Sequence, residues 1–102
     1  MYVSSLAFYT LPGKTNKAAE ELHKLRDMVA RVDGGVHPRI LRNHFASLGA
    51  PDLVFEQESP DLETLETQIQ QVTDSADFQQ WTSHMSELLA QSSKRTVYLL
   101  VE

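Results

Sequence analysis

The sequence contains no cysteine, which excludes disulfides, thiolate metal sites and a cysteine nucleophile. It also lacks any run approaching the roughly 20 apolar residues that a helix needs to cross a bilayer. Its opening segment, Met1-Tyr2-Val3-Ser4-Ser5-Leu6, has neither the basic start nor the apolar stretch of a secretory signal. The expectation is a soluble, cytoplasmic protein with no membrane partner. Glycine and proline number four each, and there is no repeat, linker or low-complexity segment, so residues 1–102 read as a single domain.

Positive charge is missing from half of the chain. Residues 43–93 carry nine Asp/Glu and no Lys or Arg, whereas residues 1–42 carry seven Lys/Arg against four Asp/Glu. Nucleic acid is not an expected partner, because neutralising phosphates requires a basic surface. Two oppositely charged helices lying side by side account for the asymmetry. Cofactor signatures are absent as well. There is no GxGxxG, no P-loop, no GxSxG elbow and no pair of histidines at i,i+4 on one helix, so no metal and no cofactor is expected.

What is present is a clear alternation of strand and helix patterns. Residues 2–11, rich in aromatic and β-branched types, read as a strand that Pro12-Gly13 breaks. Ala18, Leu22, Leu25, Val29 and Val32 recur at helical spacing over 16–33, with Thr15 or Asn16 as cap and Gly34-Gly35 as stop. Glu20 with Lys24 and Asp27 with Arg31 form acidic-first i,i+4 pairs. Residues 36–48 and 53–58 read as a hairpin around Gly49-Ala50-Pro51-Asp52, with Pro38 confined to the start of its first strand.

Ser59-Pro60 has the form of a helix start, followed by Leu62, Leu65, Ile69 and Val72 at helical period. Asp74-Ser75 marks a break and restart, after which Phe78, Trp81, Met85, Leu88 and Leu89 form a second stripe. Met28 and Met85 fall at core positions. Residues 94–101 close the chain as a last strand. The order β-α-β-β-α-α-β predicts a ferredoxin-like α+β fold, a four-stranded antiparallel sheet with its helices on one face.

That sheet is apolar on both sides. Tyr2, Leu6 and Phe8 oppose Val3, Ala7, Tyr9 and Leu11 in the first strand; Tyr98 and Leu100 oppose Val97, Leu99 and Val101 in the last. Helices cover one side only, and monomers rarely leave such a patch in water. A homodimer is therefore expected, a twofold pair being the commonest solution.

The chain resembles the dimeric α+β barrel superfamily, which includes antibiotic-biosynthesis monooxygenase-like and NIPSNAP-like proteins. Tyr9-Thr10-Leu11-Pro12-Gly13-Lys14, Phe78-Gln79-Gln80-Trp81 and Arg95-Thr96-Val97-Tyr98-Leu99-Leu100 carry the resemblance. It implies two sheets facing each other across a dimer, with a small-molecule pocket between sheet and helices in each subunit. Members include cofactor-independent oxygenases, isomerases, haem-degrading oxygenases and proteins without known activity. The haem-degrading branch uses an asparagine on the first strand with a tryptophan and a histidine from the second helical region. Residues 2–11 contain no asparagine, and Trp81 and His84 are more closely spaced than in that branch.

The candidate chemistry rests on histidine, the usual acid–base group near neutral pH. His44 shares its expected strand face with Arg42, Ile40 and Ala46. Arg42 would hold an anionic or enolate-like ligand while His44 moves a proton, which makes these two the catalytic candidates. The structural alternative pairs Arg42 with Glu56 or Glu58 and packs His44 as a half-buried side chain. Tyr9, Trp81 and His84 are the substrate-pocket candidates; alternatively Trp81 is core and His84 lies at its boundary. His23 and His37 read as surface and connection residues. Two functions follow. One is a cofactor-independent monooxygenase or isomerase acting on a small aromatic or enolisable molecule. The other is a non-catalytic dimeric module that binds a ligand or partner.

Overall fold

A computed structural model describes residues 1–32, 38–45 and 47–101. The elements run β1 (Tyr2–Phe8), α1 (Thr15–Val32), β2 (Arg39–Arg42), β3 (Leu53–Ser59), α2 (Leu62–Thr73), α3 (Ala76–Ser86) and β4 (Lys94–Leu99). The sheet order is β2-β3-β1-β4, and each neighbouring pair is antiparallel. This is the expected ferredoxin-like α+β fold.

Local chemistry sets the boundaries, and several differ from the sequence pattern. β1 ends at Phe8 rather than Leu11, after which the Thr10 amide donates to Asp52 Oδ2 at 2.9 Å and Thr10 only bridges Leu89. Gly13 then takes φ +77°, a left-handed turn that suits a residue without Cβ. Thr15 and Asn16 lie within the first turn of α1 rather than before it. The Thr15 hydroxyl meets that of Thr10 at 2.7 Å, and Asn16 Oδ1 accepts from Arg42. On α1, Lys24 pairs with Glu21 rather than Glu20.

The expected strand over 36–48 is reduced to Arg39–Arg42. Asn43 leaves the ladder, its amide donating to the Asp52 carbonyl and its side chain to the Pro51 carbonyl, each at 3.0 Å. His44 and Phe45 follow in a bend, so the connection to β3 is longer than the expected tight turn. The Gly34-Gly35 helix stop, His37 and Ala46 lie outside the described residues. Ser59 does not cap α2; it is the buried last residue of β3. Asp61 caps instead, Oδ1 accepting from the Glu63 amide at 3.0 Å. The break at Asp74-Ser75 is as expected, with Ser75 Oγ accepting from the Phe78 amide at 3.1 Å to start α3.

One face of the sheet presents Phe8, Leu53 and Phe55 to Ala18, Leu22, Leu25 and Val29 of α1 and to Val72, Trp81 and Met85 of α2 and α3. Burying each large side chain among these is worth about 1.5–3 kcal/mol. Strand β3 shows the alternation most cleanly, with Leu53, Phe55, Gln57 and Ser59 buried and Val54, Glu56 and Glu58 half-buried on the outer face. The helices cluster over β2 and β3, while α3 packs chiefly on α1. Strand β4 is consequently exposed along its whole length, on the helix side as well as the outer side. Tyr98, Leu99 and Leu100 are each more than half exposed. Among the described residues, no helix is long and apolar enough to cross a membrane.

Candidate functional site

Because α3 leans on α1 rather than down onto β4, a gap remains between α3 and the β1–β4 half of the sheet. Leu6, Phe8, Phe78, Trp81, Met85 and Leu89 wall this cavity of about 230 Å3, and Thr82, Ser86, Ser92 and Ser93 supply hydroxyls at its rim. Its aromatic wall is ordered: Phe78 stacks on Trp81 with centroids 5.5 Å apart, and Trp81 meets Phe8 edge-on at 6.4 Å. The Trp81 indole donates to the Glu21 carbonyl at 2.6 Å, which fixes the ring against α1.

Leu6 and Phe78 also form one side of a second, much smaller cavity of about 20 Å3, whose wall includes Gln57, Thr73 and Arg95. A space of that size holds a single water or one ligand oxygen. Arg95 lies opposite Leu6 on β4, and its Nη1 donates to Ser4 Oγ at 2.8 Å. The residue as a whole is exposed, but its guanidinium is drawn under the helices, and this loss of water pushes its pKa below the ordinary value.

The five residues singled out from sequence do not converge within one subunit. Tyr9 follows β1, and Lys94 Nζ stands 5.4 Å from its ring centroid. Arg42 ends β2 on the helix side and donates to Asn16 Oδ1 at 2.7 Å, at the edge of the sheet opposite β4. The expected ion pair of Arg42 with Glu56 or Glu58 is instead made by Arg39, which lies on the outer face and bonds both carboxylates. Their charges and hydrogen bonds, Glu56 foremost, raise the Arg39 pKa.

His44 does not share a strand face with Arg42, since the strand has already ended; it is exposed, its ring edge-on to Phe45 at 4.5 Å. Trp81 is core and reaches the 230 Å3 cavity. His84 is exposed on the far side of α3, where it and Trp81 border an open cleft with Glu21, Lys24, Arg31 and Asp77. Among the described residues there is no cluster of His, Asp or Glu that could hold a metal.

Sequence reasoning missed Arg95. A signal for it existed: Arg95 is in phase with Val97 and Leu99, so a charge sits on the face of a strand otherwise reserved for apolar side chains.

No family model matches the chain, and no curated protein matches it. Solved structures do, along nearly their whole length. An uncharacterized NIPSNAP domain protein from Burkholderia xenovorans superposes with a TM-score of 0.79 at 12% identity, over 99% of this chain and 95% of that one. A protein from Nitrosomonas europaea, provisionally described as an antibiotic biosynthesis monooxygenase, gives 0.71 at 16% identity over 100% of both chains. A mutant of SnoaB, a cofactor-independent oxygenase from Streptomyces nogalater, gives 0.70 at 14% identity, over 99% and 94%. The chain therefore has the fold shared by antibiotic-biosynthesis-monooxygenase-like and NIPSNAP-like proteins, as its strand and helix order implied.

Proposed function

We propose that this protein is a homodimer that binds a small aromatic or enolisable molecule between α3 and the β1–β4 half of its sheet and oxidises it without a cofactor. The observation that carries the reading is the 230 Å3 cavity walled by Phe8, Phe78, Trp81 and Met85. It exceeds the ~150 Å3 that admits benzene and falls short of the ~300 Å3 typical of larger ligands. Its wall is apolar apart from a few hydroxyls. The ligand is therefore compact, flat and mostly apolar.

A cofactor-free oxidation suits such a pocket because the substrate can supply every electron. An activated CH2 group becomes a carbonyl when dioxygen gives one oxygen to carbon and leaves with the other, and both hydrogens, as water. The four electrons lost by carbon are the four that reduce dioxygen. The likeness to a cofactor-independent oxygenase supports this class of reaction.

The dimer is supported by the outer face of the sheet. Val3, Ala7, Val54, Leu41 and Tyr98 share that face, and Leu99 of the edge strand β4 and Leu100 just after it add to the apolar surface left in water. A second copy covers both features at once.

One observation favours the non-catalytic alternative. Among the described residues, no histidine, aspartate or glutamate borders the cavity, so no ordinary general base faces the ligand there. One measurement tests the cavity and a second separates the readings. Naphthol added to the protein quenches Trp81, the chain's one tryptophan, in a saturable way under both readings; a Thr82→Phe variant, which fills the cavity, loses the quench. Oxygen uptake with a panel of enolisable aryl ketones, in metal-free buffer, occurs only if the protein is an oxygenase. Quenching without oxygen uptake across the panel leaves the binding module.

A further inference from the structure

The smaller cavity, beside the 230 Å3 one, has a feature that packing does not explain. Arg95 turns its guanidinium inward, under α2 and α3, toward Gln57, Thr73 and Ser4. Inward-turned cations are ordinarily matched by a carboxylate, because an unneutralised charge out of water costs free energy. Even Arg39, exposed on the outer face of the same sheet, carries two carboxylates on its guanidinium. Arg95 has none: among the described residues its hydrogen-bond partner is the neutral hydroxyl of Ser4. Desolvation is the influence on its pKa, with no opposing carboxylate to restore it.

A guanidinium presents five donors in a planar fork, and one bond to Ser4 leaves most of them unused. The space beside it, about 20 Å3, fits one oxygen atom and no ring. Across the shared wall of Leu6 and Phe78 lies the 230 Å3 apolar cavity, which fits a ring and offers no charge. We propose that Arg95 is an oxyanion-binding subsite, and that the ligand of this protein is an amphipathic anion whose apolar body lies against Phe78 and Trp81 and whose charged oxygen meets the guanidinium.

Carboxylate and ionised enol or phenol share this chemistry. For an enolisable substrate the same contact favours the ionised form, since a held, partly desolvated cation stabilises negative charge as it develops on oxygen. The inference rests on the reading of the larger cavity as a ligand site.

The test uses the full chain and Trp81 fluorescence, with naphthoate, its uncharged amide naphthamide, and naphthol as probes. Wild-type protein is expected to bind naphthoate at least about tenfold more tightly than naphthamide, equivalent to about 1.4 kcal/mol. Arg95→Met is expected to bind both alike while retaining its affinity for the amide. Arg95→Lys keeps part of the preference, because an ammonium supplies charge without the fork. Tighter binding of naphthol as pH rises through its own ionisation identifies phenolate as a second accepted oxyanion; a flat profile restricts the subsite to carboxylates. Equal binding of acid and amide by wild type, or a preference that survives in Arg95→Met with unchanged circular dichroism, overturns the subsite alone. Failure of every probe to bind saturably overturns the cavity reading and the subsite with it.

Discussion

The indole nitrogen of Trp81 donates to the backbone carbonyl of Glu21 at 2.6 Å, and this bond ties α3 to α1 across 60 residues of sequence. It also explains why the cavity exists. A helix held to its neighbour at this point reaches the sheet through Trp81 on Phe8 and leaves the floor over β1 open, beside Ser92 and Ser93 that lead into β4.

Trp81→Phe keeps the ring stacked on Phe78 but removes the donor. The Glu21 carbonyl lies inside α1 and retains its helical bond, so the loss is expected near the net value of one hydrogen bond, about 0.5–1.5 kcal/mol. Trp81→Ala also empties the aromatic wall and is expected to cost about 3–5 kcal/mol. Urea unfolding followed by circular dichroism measures both, since neither variant retains a tryptophan for fluorescence.

Tyr98 is more than half exposed on the outer face of the edge strand. If that face meets a second copy, Tyr98→Glu places a charge in the contact and converts a dimer into a folded monomer at micromolar concentration. Sedimentation equilibrium reads the change directly. A wild-type protein that already sediments as a single copy rules out the dimer.

The two perturbed arginines give opposite signs for stability. Arg39 gains from folding, chiefly through Glu56 and also Glu58, so its pKa is raised. Its contribution is complete below the ordinary guanidinium value and fades only as pH climbs through the higher folded value. Arg95 loses from folding by desolvation, and its lowered pKa means that this cost persists until pH rises past the folded value. Neither group titrates near neutrality, so neither bends the pH profile there. Arg39→Gln is expected to lower the melting temperature by an amount that shrinks with added salt, because the pair is exposed. Arg95→Met is expected to leave the melting temperature unchanged or raised, as happens when a functional residue is held at a cost to the fold.

Arg42 and His44 lie at the edge of the sheet opposite the cavity. Arg42→Ala is expected to lose the bond to Asn16 at a cost within about 1.5 kcal/mol, and His44→Ala to change stability by no more than about 0.5 kcal/mol. Neither substitution is expected to shift naphthol binding measured by Trp81 quenching. A tenfold loss in either variant would return these residues to the site.

Most of the fold was legible because its signals are local. The spacing of Ala18, Leu22, Leu25 and Val29 gave α1, the strand pattern over 53–58 gave all of β3 but its last residue, and Asp74-Ser75 gave the break before α3. The end of β2 was not legible. His44 and Phe45 have residue types that suit a strand, but Asn43 satisfies its polar groups on Pro51 and Asp52 instead. Likewise Ser59-Pro60 has the form of a helix start, yet Ser59 is needed in the sheet and Asp61 takes the cap.

The site was the least legible part, because convergence is a property of three dimensions. Chain pattern by itself determined the element order, the core stripes and a sheet with apolar side chains on both faces, since each follows from the period at which side chains fall on one face. Only tertiary structure decided that Arg39 rather than Arg42 meets the carboxylates of β3, that α3 rests on α1 and leaves a cavity over β1, and that Arg95 turns inward without a carboxylate. Those outcomes depend on strand register and helix placement, which bring together residues that no local spacing relates.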